Sequence, residues 1–144
     1  MDRKRIALYL FVLSVVPGAV FGLLYLGTPK FMPYHAAAAG AEWSELSPGV
    51  RALVLALLRV AGGGFLATST AVLVMIFRAF KRGLAWSHWA IPLVGACSSI
   101  PTLYATLFLK IKTQAATPWP LPALCLVFLG VGWLLASAGE RQAA

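Results

Sequence analysis

Leu57-Leu58-Arg59-Val60-Ala61-Gly62-Gly63-Gly64-Phe65-Leu66-Ala67 sets one cation and three successive glycines inside a long apolar run. An arginine keeps its proton under all ordinary conditions, so the charge must be met by geometry and not by titration. The surrounding run, about residues 50–77, holds Arg51 and Arg59 as its only charged residues. Some 20 apolar residues cross a hydrocarbon core about 30 Å thick, so this segment reads as a membrane helix longer than it needs to be. Ala52, Ala56, Arg59, Gly63, Ala67 and Thr70 recur at spacings of three and four, and that narrow small-residue stripe is expected to face other helices.

The rest of the chain has the same character. Of its 144 residues 60% are hydrophobic and 11% charged, whereas a soluble domain carries about a quarter charged residues. The expected fold is all-α, an integral membrane four-helix bundle in a single domain, with spans over about residues 6–27, 50–77, 87–109 and 119–138. The first run follows a basic arm (Arg3, Lys4, Arg5) and reads as a retained membrane helix, being longer than a signal-peptide core and lacking an A-x-A-like site. Ser14, Gly18 and Gly22 lie along one side of it, a stripe suited to close helix packing within the bundle or, more sharply, to a homodimer face.

Residues 28–49 form the longest polar connection, with Phe31, Met32, Tyr34 and Trp43 interleaved. A short interfacial helix is expected over Tyr34 to Leu46. Ser47 then suits an N-cap, with Pro48 at the first position of the second span. The third span opens on Trp86, His88 and Trp89 and carries two prolines among small and hydroxyl residues. The fourth opens on Pro118-Trp119-Pro120-Leu121-Pro122, where missing N–H groups cost little.

The net charge of +8 raises nucleic acid as a partner, but the basic residues sit at the ends of apolar runs, the membrane-protein pattern. Arg3, Lys4, Arg5, Arg78, Lys81, Arg82 and Arg141 fall on one side of the bilayer, against Lys30, Arg51, Lys110 and Lys112 on the other. The positive-inside rule then puts both termini in the cytoplasm. The expected partners are the lipid bilayer, a homo-oligomer or larger membrane complex, and a bound lipid; nucleic acid is not among them. Cys97 and Cys125 lie within apolar runs as small hydrophobes, and no metal site or cofactor is expected.

Three solutions are open to Arg59. It snorkels outward, it pairs with Glu42 or Glu45 folded over the bundle mouth, or it holds an exogenous anion such as a lipid phosphate. In the last case Ser98, Ser99, Thr102 and Tyr104 form the opposite wall of a ligand site. Gly62, Gly63 and Gly64 lack the loop-to-helix context of a phosphate cradle and read, with Ala67, as packing positions. No catalytic residues are assigned: His35 and His88 fall at opposite ends of the membrane, and no span contains an acid for a proton relay.

The arginine before the glycines, Arg59 with Gly62, Gly63, Gly64 and Leu66, resembles the second span of the broad DoxX-like group of small bacterial four-helix membrane proteins. That resemblance implies a fold and no mechanism; the expected location is a bacterial inner (plasma) membrane. It lacks the acidic residue that such proteins often place just ahead of their arginine. The expected function is therefore non-enzymatic, acting through helix packing in a homo-oligomer or larger complex. The alternative is a binder or carrier of a lipid-like or small anionic molecule held by Arg59.

Overall fold

A computed structural model describes residues 2–140, the last two by backbone alone; Arg141, counted above for topology, lies outside it. All regular structure among the described residues is helical. Helix α1 spans Arg3–Gly27, α2 Pro33–Ala39, α3 Pro48–Met75, α4 Ser87–Thr113 and α5 Pro120–Glu140. Four of these, α1, α3 with its extension, α4 and α5, are long and apolar enough to cross a membrane.

Local chemistry accounts for the ends. The Asp2 carboxylate accepts the Lys4 N–H and opens α1, and the Ser47 hydroxyl accepts the Val50 N–H with Pro48 next, opening α3. A wider five-residue turn, Ile76–Phe80, carries α3 to its end. The helix expected over Tyr34 to Leu46 is shorter than that. Gly40 adopts a left-handed conformation (φ 65°) and stops α2 after Ala39, since only glycine enters that region without steric cost. A single 3-10 turn follows at Trp43–Glu45, pinned to α3 where the Arg51 guanidinium donates to the Ser44 carbonyl at 2.6 Å.

α1 lies between α3 and α5, and α4 closes the ring, packing well on α5 and less closely on α3. At the end of the bundle that holds the start of α1, Phe11, Ile76, Phe80 and Ile91 are fully buried, with the Phe11 and Phe80 rings edge-on at 5.3 Å. At the opposite end Tyr25, Phe31 and Leu58 form a second cluster with Trp43, Leu46 and Val54. The connection between α1 and α3 thus folds back over the first turns of α3.

The buried face of α3 is not the expected stripe. Leu58, Gly62, Ser69 and Val72 are buried, while Ala52, Ala56, Ala67 and Thr70 are exposed. Gly63 and Gly64 have nothing within 4 Å of an added Cβ. The face is rotated one residue, about 100°, from that reading. The cause is α1: a Cβ on Gly62 would sit 2.9 Å from the Gly22 carbonyl oxygen, and one on Gly22 would sit 2.7 Å from Leu66. A Cβ on Gly18 would sit 2.9 Å from the Ser69 hydroxyl. Ser14 is buried too, donating to the Phe11 carbonyl at 2.8 Å. The Gly18 and Gly22 side of α1 is therefore spent on α3 of the same chain, a backbone approach that only small residues permit.

Candidate functional site

Among the described residues Arg59 pairs with neither Glu42 nor Glu45; it reaches instead to the end of α1. Its Nη1 donates to the Tyr25 carbonyl at 2.5 Å and its Nη2 to the Thr28 carbonyl at 2.8 Å. These lie at the C-terminal end of α1, where helix carbonyls lack intrahelical donors and the helix dipole is negative. No basic residue of α1 itself lies in its last turn. Arg59 supplies that missing cation from the neighbouring helix. Glu45 turns its carboxylate onto the Glu42 backbone N–H at 2.8 Å, closing its own short turn.

Tyr25 links this cap to a cavity. Its carbonyl is held by Arg59 and its ring packs against Phe65 and Phe21 at centroid distances of 6.0 and 5.8 Å. Its hydroxyl reaches the Tyr34 hydroxyl on α2. One proton makes that bond, so the other phenolic proton of the pair stays available as a donor. Burial, and then the bond to Tyr25, pushes the Tyr34 phenol far above its ordinary range, which keeps it neutral.

Below the tyrosine pair, a partly open cavity of about 80 Å³ runs down the middle of the bundle. That is room for a few waters, a short chain segment or a small ring. Helix α1 contributes Ser14 and Gly18, α3 Phe65, Thr68 and Ser69, and α5 Leu121, Pro122 and Cys125. Helix α4 contributes Gly95, Ser98, Ser99, Thr102 and Thr106. Among the described residues no charged side chain lines it.

The hydroxyls divide into two sets. Thr102 donates to the Ser98 carbonyl at 2.7 Å, Thr106 to the Thr102 carbonyl at 2.8 Å, and Ser69 to the Val15 carbonyl of α1 at 3.4 Å. Having spent their protons on the backbone, these present only lone pairs to the cavity. Thr68, Ser98 and Ser99 make no side-chain hydrogen bond among the described residues, and keep both donor and acceptor free.

Of the residues picked from the sequence, Ser98, Ser99 and Thr102 come together here. Tyr104 does not: it is 70% exposed on the far side of α4, stacked on Phe108. It sits two residues beyond Thr102, which a helix turns through about 200°. Arg59 stands outside the lining and acts on it only through Tyr25. Tyr25, Tyr34, Thr68, Ser69 and Thr106 are the members that sequence reasoning missed. The two tyrosines carried a signal, as polar-tipped rings bracketing the end of the first apolar run. His35 and His88 lie at opposite ends of the bundle, His35 beside Tyr34 and His88 against Phe80. Among the described residues no group of three or more His, Cys, Asp or Glu is placed to hold a metal ion. No protein-family model, curated protein or solved structure matches the chain.

Proposed function

We propose that the protein is an integral membrane protein, in a bacterial inner membrane with both termini cytoplasmic, that binds a small uncharged amphipathic molecule between its helices. The observation that carries this reading is the cavity itself. Three hydroxyls with no side-chain hydrogen bond among the described residues, a spare phenolic proton and the lone pairs of Ser69, Thr102 and Thr106 face the same space. These hydroxyls are half-buried in a partly open space, where a guest with its own acceptors and donors can pair with them. An ion is a poor fit, because burying a charge without a counter-charge costs far more than burying a neutral polar group. A volume of about 80 Å³ admits only a polar head or a small molecule. A tail leaves between α3 and α4, the loosest of the neighbouring pairs.

The membrane reading also resolves the depth of Arg59. Pro48–Phe80 is 33 residues, about 50 Å of helix at 1.5 Å per residue, against about 30 Å of hydrocarbon. Its outer turns, wrapped by residues 28–46, stand in the headgroup region, which brings Arg59 and the end of α1 close to the outer boundary. The role is binding and not catalysis, since among the described residues no histidine, carboxylate or lysine borders the cavity to move a proton. Self-association loses its motive where Gly18 and Gly22 already meet α3.

The test is native mass spectrometry of the full chain released from mild detergent. Wild type is expected to carry an uncharged adduct that Ser98→Val with Ser99→Val reduces about tenfold, the worth of roughly one lost hydrogen bond. Arg59→Gln should retain it. An adduct lost in Arg59→Gln but kept in the serine variant would overturn this reading in favour of an anion at Arg59. Absence of any adduct in wild type would sink it.

A further inference from the structure

The inner end of the molecule brings two basic segments together that are far apart in sequence. Arg3, Lys4 and Arg5 open α1, while Arg78, Lys81 and Arg82 close the extension of α3, and all six are exposed. The Lys4 Nζ lies 3.5 Å from where a Cβ on Gly83 would sit and 6.0 Å from the Phe80 ring centroid. The arm therefore lies against the second segment. The acidic residues at this end in the described residues are Asp2, which accepts the Lys4 backbone N–H at 3.3 Å as the α1 cap, and Glu140, the last residue of α5. Trp86 and Trp89 stand exposed at 45% and 57% just beyond, at the level where amphipathic rings mark a headgroup region. Lys81 lies over the Phe77 ring at 4.7 Å, its stem along the helix and its charge at the rim.

We propose that this surface binds anionic phospholipid headgroups of the cytoplasmic leaflet, making it a lipid-selective site separate from the interhelical cavity. The inference rests on the membrane and orientation part of the reading above, not on the cavity ligand. Charge complementarity picks the occupant. Six cations against two acidic residues, Asp2 and Glu140, at the end of four apolar helices, face a leaflet whose headgroups carry phosphate diesters. Lys110 and Lys112 end α4 at the opposite end of the bundle, so charge alone does not make the two ends equal.

The experiment incubates the detergent-purified full chain with equal amounts of phosphatidylglycerol and phosphatidylcholine and counts retained lipid by native mass spectrometry. Wild type is expected to retain phosphatidylglycerol in about tenfold excess, declining as salt is raised. Lys4→Gln with Lys81→Gln and Arg82→Gln should abolish the excess, and Lys110→Gln with Lys112→Gln should keep it. Equal retention by wild type, or equal loss in the outer-end variant, overturns the proposal. Inorganic phosphate displacing the lipid at similar concentration would make this a free-phosphate site and overturn it as a lipid surface. Should the triple variant fail to fold, a salt-independent excess in wild type overturns it instead. Loss of the cavity adduct with the lipid excess intact would fail the cavity reading alone, and a chain that does not fractionate with membranes would fail the membrane reading.

Discussion

Gly62, Gly63 and Gly64 share a sequence context and have nothing else in common. A Cβ on Gly62 would meet the Gly22 carbonyl oxygen at 2.9 Å, the Tyr25 Cβ at 3.0 Å and the Leu26 nitrogen at 3.1 Å. Two of these atoms are backbone and the third is fixed to it, so α1 itself must shift. Gly62→Ala should cost about 1–3 kcal/mol, the usual range for overpacking. Gly63→Ala and Gly64→Ala meet open space and should be neutral or stabilising by up to about 1 kcal/mol through helix propensity. Thermal unfolding in one detergent decides between them, and equal effects at all three positions would refute the α1–α3 contact. Arg59 gives the second prediction at this scale. Arg59→Leu strands the Tyr25 and Thr28 carbonyls and should cost about 1.5–3 kcal/mol, the worth of charge-assisted bonds. Arg59→Lys should recover only part of it, because an ammonium cannot fork across two carbonyls. A fully stable Arg59→Leu would show that α1 ends without this cap.

At the scale of the element, α2 is the piece whose stability depends on pH. The Met32 N–H donates to His35 Nδ1 at 3.1 Å, which requires that nitrogen to be unprotonated. Burial lowers the His35 pKa below its ordinary 6.5. As pH falls below about 6.5 the unfolded segment takes up a proton that the folded one refuses, so stability drops. The contribution is whole above that value and lost as pH falls through the lowered folded one. Loss of the cap is worth about 1 kcal/mol. Amide exchange across Pro33–Ala39 should therefore quicken on acidification, with Trp43, which packs edge-on against Phe31 at 5.0 Å, reporting the same event by fluorescence. His35→Gln keeps an acceptor that does not titrate near neutral pH and should flatten the dependence. A wild-type rate that ignores pH would show that His35 does not hold α2. None of this was legible in the sequence, because both the stop at Gly40 and the partner of His35 are backbone features. The helix face on α3 was misread for a related reason. Small residues occupy nearly every position from Ala61 to Ala71, so their spacing defines several stripes, and the choice among them is made by Gly22 on another helix. The partner of Arg59 was hidden likewise, since the carbonyls at a helix end leave no mark in composition.

For the whole molecule, the four apolar runs and their helical state were legible because hydropathy over some 20 residues is a coarse quantity that packing does not alter. Ring order was not, because it depends on which small residues oppose which, as Gly132 does in admitting Phe11 and Gly95 in admitting Leu129. Orientation follows from charge and can be measured on the intact chain. With Cys97 and Cys125 changed to alanine, one reporter goes to Ala39→Cys at the end of α2 and another to Ala85→Cys in the turn before α4, both exposed positions. A membrane-impermeant maleimide added to intact cells should label Ala39→Cys and leave Ala85→Cys unlabelled until the membrane is opened. The reverse pattern would turn the molecule over, placing Arg78, Lys81 and Arg82 outside against the positive-inside bias, and it would take the basic surface away from the cytoplasmic leaflet. Equal labelling of both sites in intact cells would mean that α3 does not separate them by a bilayer. The cap on α1 by Arg59 would then have to be explained in water, where about 50 Å of largely exposed apolar helix has no physical support.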